Sequence, residues 1–253
     1  MSAGPTLLLF DPHEDVRWIQ QTLEFEAGNF DRVVLGGDYF DAWFAPDWGG
    51  HVEICQLLLE LRRRFGERLT ILLGNHDIHY LELRSVFQEG APFKGANYTC
   101  SGFSVYKAKA IHDNLPKDFW QDTRLFTVVH GYLVSHAGVA SRFWKGRDVS
   151  EALAKLETAC AKALANFGTK SALLSAGRAR KGRRAVGGLT WCDWEKEFQD
   201  GVPMPQIVGH SPGRLRRRGR SWCVDCHQRV YAIVDAEGLV FKVKGQEVQL
   251  AGS

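Results

Sequence analysis

The order of apolar and amphipathic segments in the first 75 residues constrains the fold most strongly. Apolar runs at residues 6–10, 32–35 and 69–73 predict three strands. The segments 14–27 and 51–65 place apolar residues on one helical face, and each is followed by a glycine. A strand–helix–strand–helix–strand order implies parallel neighbouring strands joined by helical crossovers. Because the apolar runs are nearly continuous, we expect the strands to be covered on both faces in an α/β fold.

The second half of the chain has a different pattern. FTVVHGYLVSHAG predicts a hairpin that turns at His130–Gly131, and residues 148–167 predict a helix capped by Asp148 with Glu151 and stopped by Gly168. Four further segments, PQIV, SWCV, RVYAIVD and LVFKV, predict strands that return to a sheet, with DAEG as the turn between the last two. No linker separates two units in the sequence. We therefore expect one domain over 1–253, with a helical and basic insertion at about 145–200 whose residues 169–190 form a surface loop or flap.

Composition narrows the class of protein. Apolar residues make up 45% and charged residues 24% of the chain, which suits a packed core. No apolar run reaches the roughly 18 residues of a membrane span, and the N-terminus lacks the basic start and cleavage site of a signal peptide. The six cysteines are scattered rather than spaced as a disulfide framework, so we expect reduced thiols and a cytoplasmic location.

Polar side chains follow the predicted strands at the point where each strand ends. They are Asp11 and His13, Asp38 and Asp41, Asn75 and His76, His136, and His210. Ligands bind at the carboxyl ends of strands in open α/β sheets, so we expect these side chains to meet. Oxygen and imidazole donors suit manganese, iron or zinc, and even six ligands from this set would exceed one tetrahedral zinc site. The pattern therefore favours two cations that share a carboxylate.

Five short motifs stand in a fixed order, each after a predicted strand: DPH, GGDYFD, GNHD, SHAG and GHSP. In this order they resemble the DxH, GDxxD, GNH[DE], HAG and GH motifs of the calcineurin-like metallophosphoesterases. LTWCD at 189–193 and WCVDC at 222–226 are similar to stretches of the bacterial phosphoprotein phosphatase and diadenosine polyphosphatase branch. The resemblance runs from about residue 11 to 226. It implies a four-layer α/β/β/α sandwich of two mixed sheets with helices outside.

The resemblance also implies a role for each matched residue. Asp11 and His13 would hold one metal, Asp38 would bridge both, and Asn75, His136 and His210 would hold the second. His76 would be the catalytic histidine, oriented by Asp41. The implied enzyme is a metal-dependent phosphatase with two divalent ions, manganese first and iron or zinc as alternatives. A metal-bridging hydroxide would attack phosphomonoesters of phosphoprotein, nucleotide or dinucleoside polyphosphate type.

The motif GDxxDRG of that branch includes a phosphate-binding arginine, and here Ala42 and Trp43 stand in place of arginine and glycine. Another cation would have to replace it. The runs 178–184 and 214–220 each hold five cations in seven residues and are either solvated loops or polyanion-binding segments. The substrate-binding candidates within these runs are Arg180, Arg214 and Arg216. The partner would be a phosphorylated anionic substrate, with nucleic acid as an alternative through the same arginines.

Two further functions remain open at this point: a nuclease or phosphodiesterase, and a non-catalytic polyanion-binding protein. The C-x-x-C-H pattern at 223–227 also matches haem attachment, or a zinc pair, although one short motif is weak evidence. Asp77 is expected to cap a turn, and His79 is an alternative substrate contact. The sequence carries no signal of oligomeric state.

Overall fold

A computed structural model describes residues 4–42, 50–167 and 169–248 of the chain. The α-helices are α1 (Val16–Phe25), α2 (Gly50–Phe65), α3 (Asn75–Glu82), α4 (Arg84–Phe87), α5 (Val105–Asn114) and α6 (Val149–Ala165). The strands are β1 (Thr6–Leu9), β2 (Arg32–Leu35), β3 (Leu69–Ile71), β4 (Phe126–Val129), β5 (Tyr132–Ser135), β6 (Gln206–Val208), β7 (Arg216–Arg218), β8 (Ser221–Cys223), β9 (Tyr231–Val234), β10 (Leu239–Val243) and β11 (Gln246–Glu247). The predicted Gly168 helix stop and Trp43 lie outside the described residues.

The strands form two mixed sheets. The first has the order β11-β10-β9-β1-β2-β3, with β1, β2 and β3 parallel and β9 antiparallel to β1. The second has the order β4-β5-β6-β8-β7, with β5, β6 and β8 parallel and a hairpin at each edge. The parallel strands of both sheets direct their carboxyl ends to the edge where the polar motifs begin.

Successive side chains of each strand point to opposite faces of its sheet, and this alternation separates the two hydrophobic cores. Leu8 of β1 faces a core shared by both sheets, together with Val134 of β5 and Ile207 of β6. Leu7 and Leu9 face the opposite side, in the core that also contains buried residues of α1 and α2. On the outer side of the second sheet, Trp194 and Phe198 stack with ring centroids 4.3 Å apart and pack with buried residues of β6 and β8. Two mixed sheets with helices outside confirm the predicted fold class.

Capping carboxylates mark the first residues of α1 and α6. α1 begins after Asp15, whose carboxylate accepts a hydrogen bond from Trp18 N at 2.8 Å, and it buries Ile19 and Leu23. α6 begins after Asp148, which accepts from Glu151 N at 2.8 Å as predicted. The Glu151 carboxylate accepts from Arg147 N, one residue before the cap, rather than from the cap itself. No helix among the described residues is long and apolar enough to cross a membrane.

The arginine run at 214–220 is not a loop throughout. Residues 216–218 form β7, which pairs antiparallel with β8 at the edge of the second sheet. Guanidinium groups on this edge bind carbonyl and carboxylate oxygens: Arg218 donates to Trp194 O at 2.7 Å and to Phe198 O at 2.6 Å. The other basic segment, 169–190, carries buried leucines at 173, 174 and 189 and therefore packs against the core.

Candidate metal centre

The loops after β1, β2, β3, β5 and β6 meet at one end of the sandwich, beside a cavity of about 1130 Å³. Five of the residues expected at this site have a positive φ: Asp11 (51°), His13 (42°), Asp38 (60°), Asp41 (66°) and His210 (69°). Non-glycine residues rarely adopt this conformation, and such strain concentrates at functional sites. Backbone hydrogen bonds hold the loops in place, including His13 N to Asp38 O at 2.9 Å. The structure therefore brings together on strained loops the polar residues that the sequence places at the strand ends.

One cluster consists of Asp11, His13 and Asp38, whose ligand atoms lie within 4.8 Å of one another. His13 Nε2 is 3.7 Å from Asp38 Oδ2. The other ring nitrogen of His13 donates to Phe40 O at 2.9 Å. A backbone carbonyl on Nδ1 fixes the imidazole orientation in the way typical of metal-binding histidines.

A second cluster consists of Asp38, His136 and His210, and it shares Asp38 with the first. His136 Nε2 lies 3.4 Å from Asp38 Oδ2, while His136 Nδ1 donates to Gly36 O at 2.9 Å. The side-chain amide of Asn75 lies 3.2 Å from His136 Nε2. Thus the other five predicted ligands lie around one carboxylate, that of Asp38.

Two observations indicate that these residues fit a pair of divalent cations. His210 Nε2 is buried and has no hydrogen-bond partner within the described part of the chain, so a donor atom is left for a cation. Burial lowers the pKa of His136, but Asp38 and Asp11 outweigh it and raise that pKa to about 9. The carboxylates therefore favour positive charge at this position, and oxygen and nitrogen donors suit manganese, iron or zinc.

His76 stands beside the shared carboxylate on the first turn of α3. Its backbone N–H donates to Asp38 Oδ1 at 2.9 Å, and its Nδ1 lies 3.0 Å from Asp41 Oδ2. Burial lowers the pKa of His76, but Asp38 and Asp41 outweigh this effect and raise it well above the usual value. The imidazole is thus held by Asp41 at the edge of the cavity, where the His76 side chain is among the lining groups.

The sequence did not indicate several residues that hold Asp41. Tyr80 O–H donates to Asp41 Oδ1 at 2.6 Å, and Lys107 Nζ donates to the same oxygen at 3.0 Å. The Glu14 carboxylate accepts from Asp41 N at 2.9 Å. Tyr80 follows His76 by four residues and so lies on the same face of α3, a signal that the sequence did contain. Lys107 comes from α5, 66 residues away, and no local pattern points to it.

Asp77 is fully buried and acts as a clamp between two loops. Its carboxylate accepts from Gly74 N at 2.7 Å, Asp38 N at 2.8 Å and Tyr39 N at 3.0 Å. The turn cap expected at Asp77 is therefore present, and it is joined to the loop that carries Asp38. The two loops also approach closely at Gly37, where an added Cβ would lie 2.4 Å from Gly74 N.

Asp77→Ala should lower the free energy of unfolding by about 3 kcal/mol or more, because three buried N–H groups lose their acceptor. Chemical denaturation followed by circular dichroism would measure the change. Asp235→Ala is the matched control, since Asp235 accepts from Glu237 N and Gly238 N in a half-buried turn. We expect the control to lose less than about 1 kcal/mol. Equal losses in the two variants would contradict the clamp.

The three arginine candidates lie in different surroundings. Arg180 lines the cavity; its Nε is 2.8 Å from Asp193 Oδ2, and its terminal nitrogen donates to Ser211 Oγ at 3.3 Å. Arg216 is outside the cavity lining, where it pairs with Glu195 Oε1 at 2.6 Å and donates to Ser211 O. Arg214 is exposed and is also outside the lining. Lys181, which the sequence did not single out, lines the cavity next to Arg180.

The remaining sequence features occupy other positions. His79 is fully buried; its Nε2 is 3.1 Å from Asp41 Oδ2, and its ring does not line the cavity. Cys223 and Cys226 are buried and unpaired. Among the described residues, the groups able to hold a metal do not include these two cysteines or His227.

Comparison with known sequences identifies a family and one relative. The family model described as calcineurin-like phosphoesterase matches residues 10–225. The symmetrical bis(5'-nucleosyl)-tetraphosphatase of Glaesserella parasuis serovar 5 (strain SH0165) is 28% identical over 121 residues, which cover 47% of this chain and 39% of that protein. The chain therefore matches well under half the length of this curated relative.

Solved structures support the fold. The crystal structure of the cold-active protein-tyrosine phosphatase of a psychrophilic Shewanella species has a TM-score of 0.62 and 15% identity, covering 97% of this chain and 80% of that one. A further structure, of a cold-active protein tyrosine phosphatase, has a TM-score of 0.61 and 16% identity, covering 97% and 78%. At these identities the likeness concerns the fold alone.

Proposed function

The chain belongs to the calcineurin-like phosphoesterase family, and we infer that this phosphoric ester hydrolase acts on phosphomonoesters with two divalent cations. The observation that carries the inference is the Asp38 carboxylate, which is common to both clusters of metal-binding residues. Manganese is the first choice, with iron or zinc as alternatives, because the donors are oxygen and imidazole nitrogen. When bound, the two cations would neutralise the phosphoryl oxygens and acidify a water to a nucleophile near neutral pH.

The protein's own groups would position the ester and supply a proton. His76 borders the cavity and is held at Nδ1 by Asp41, so its other nitrogen is the natural donor to the departing oxygen. Asp41 keeps this orientation because Tyr80 and Lys107 fix its second oxygen. Lys107 also lies 3.9 Å from Glu14 Oε1 and so joins the loops after β1 and β2 to α5.

The cavity supports a substrate larger than a small phosphate ester. Its volume of about 1130 Å³ exceeds the range of roughly 300–1,000 Å³ that is usual for small-ligand sites. Arg180 and Lys181 line it together with Trp191, whose ring centroid lies 5.6 Å from that of His210. A polyphosphate chain or a phosphorylated side chain would satisfy these cations. The name of the curated relative adds support for dinucleoside polyphosphates as one candidate substrate.

Arg180→Gln should raise KM for a phosphomonoester about tenfold with a smaller effect on kcat. Asp193 and Ser211 hold the Arg180 guanidinium at the cavity wall, where it would bind a phosphate oxygen. Steady-state kinetics with p-nitrophenyl phosphate would measure the change. Arg214→Gln removes the same charge from an exposed position outside the cavity and should leave KM within twofold. Equal effects in both variants would assign the arginines to general attraction of anions.

The proposed function is tested by hydrolysis of p-nitrophenyl phosphate and bis-p-nitrophenyl phosphate by manganese-loaded protein. Metal-dependent turnover that favours the monoester would support the proposal, and a dinucleoside polyphosphate as third substrate would test the larger class. A strong preference for the diester would replace it by a phosphodiesterase. Failure on all three substrates would contradict phosphomonoester hydrolysis.

A further inference from the structure

The thiol of Cys100 lies beside His76 and Asp41, and it has no role in the proposed hydrolysis. The residue lies in the segment between α4 and α5, is partly exposed and lines the cavity. Its Sγ is 3.3 Å from His79 Nδ1. Cys100 therefore offers a sulfur donor beside two imidazoles, at a position that solutes in the cavity can reach.

The two oxygens of Asp41 have separate surroundings. Oδ1 accepts hydrogen bonds from Tyr80 and Lys107, as described above. Oδ2 faces two imidazoles, with His76 Nδ1 at 3.0 Å and His79 Nε2 at 3.1 Å. His79 Nε2 is buried and makes no hydrogen bond of acceptable geometry to any residue in the described ranges. Oδ1 of Asp41 thus accepts two hydrogen bonds, whereas Oδ2 faces the imidazole nitrogens of His76 and His79, beside the Cys100 sulfur.

We propose that Asp41, His76 and Cys100 form a third cation site, specific for a thiophilic divalent ion such as zinc. One ligand atom from each residue lies within 4.8 Å of the others. Tetrahedral zinc with bonds of about 2.0–2.3 Å needs its ligand atoms roughly 3.3–3.7 Å apart, which small side-chain rotations would provide here. His79 or a water is the fourth ligand.

The donor set separates this site from the dinuclear centre. Asp38 and the five predicted ligands around it offer only oxygen and nitrogen, whereas Cys100 adds sulfur. Thiolate favours zinc over manganese, and zinc also binds more tightly in the general affinity order. A manganese-loaded protein would therefore leave this third site available to zinc.

Occupation of the site would change the state of His76. A cation bound to the His76 nitrogen and the Cys100 sulfur displaces their protons to solvent. His76 would then be a ligand of the cation instead of the proton donor oriented by Asp41. Zinc in excess of the dinuclear centre should therefore inhibit turnover. This consequence rests on the proposed function, but the existence of the site does not.

Binding can be tested without measuring activity. Manganese-loaded protein is titrated with Co²⁺, whose bond to a thiolate produces a near-ultraviolet charge-transfer band. We expect a band in the wild type that is lost in Cys100→Ser and kept in Cys226→Ser, the matched change at a buried thiol. The absence of the band in the wild type, or its retention in Cys100→Ser, would overturn the site.

Inhibition is tested separately with Zn²⁺ on manganese-loaded protein, each variant being compared with its own zinc-free rate. Cys100→Ser should need at least about tenfold more zinc for half-inhibition, since one ligand is lost. A Cys100-dependent band with unchanged zinc sensitivity would support the site and overturn its link to hydrolysis. If the protein turns over no substrate, the proposed function fails, whereas the cobalt band still decides whether the site exists.

Discussion

Asp38→Asn should reduce metal-dependent turnover by at least about 10³-fold, equivalent to roughly 4 kcal/mol of activation free energy. The carboxylate lies 3.4 Å from His136 Nε2 and 3.7 Å from His13 Nε2, and among the described residues it is the group shared by the Asp11–His13–Asp38 and Asp38–His136–His210 clusters. An amide presents a single neutral oxygen and cannot bridge two cations with the charge of a carboxylate. We expect the variant to bind less metal as well as to lose activity. Metal content after dialysis and kcat/KM with p-nitrophenyl phosphate measure the two effects.

Asp118→Asn is the matched control for this variant. Asp118 has a side chain that is 63% exposed and pairs with Arg62 at the surface, so the same chemical change should leave activity and metal content unaltered. If Asp38→Asn keeps two bound cations and a rate within tenfold of wild type, Asp38 is not the bridging ligand.

His76→Asn should lower kcat by about 10²–10⁴-fold, the usual contribution of a general acid. The loss should be larger for phenyl phosphate than for p-nitrophenyl phosphate, since a poorer leaving group depends more on protonation. Metal content should change little, because the imidazole faces Asp41 rather than the two clusters around Asp38. Kinetics with the two esters, together with metal analysis, would separate loss of the acid from loss of the metals.

His130→Asn supplies the control for His76→Asn. His130 lies at the β4–β5 turn, where its ring donates to Gly4 O at 3.1 Å, and its φ of 46° is one that asparagine tolerates. This variant should retain wild-type rates. A loss in His76→Asn that is the same for both esters would argue that His76 binds charge rather than donating the proton.

The fold and the six candidate ligands could be predicted because their signals are local. Each ligand follows a strand within a few residues, and the carboxyl ends of parallel strands meet at one edge. Asp11, Asp38 and Asn75 therefore fall near one another once the strand order is known. The roles of these residues remain predictions until the variants are measured.

The remainder could not be read from the sequence because it depends on contacts between distant segments. Lys107 reaches Asp41 from α5, and Arg180 is held by Asp193 and Ser211. From the sequence, the arginines of 216–218 are assigned to a solvated loop as one alternative, because a run of charged residues lacks the apolar pattern that predicts a strand. They form β7, and backbone and side-chain oxygens of residues 194–198 accept hydrogen bonds from Arg216 and Arg218.

The division of the candidate ligands between two sheets has a thermodynamic consequence. Asp11, Asp38 and Asn75 follow strands of the first sheet, whereas His136 and His210 follow strands of the second. Cations held by both sets would bind the folded sandwich and not the unfolded chain. They would thus stabilise it by about 2.7 kcal/mol for each site at a concentration one hundredfold above its dissociation constant. Cohesion between the two layers of strands would then depend on metal supply, so that depletion of the ions weakens the sandwich as well as the chemistry.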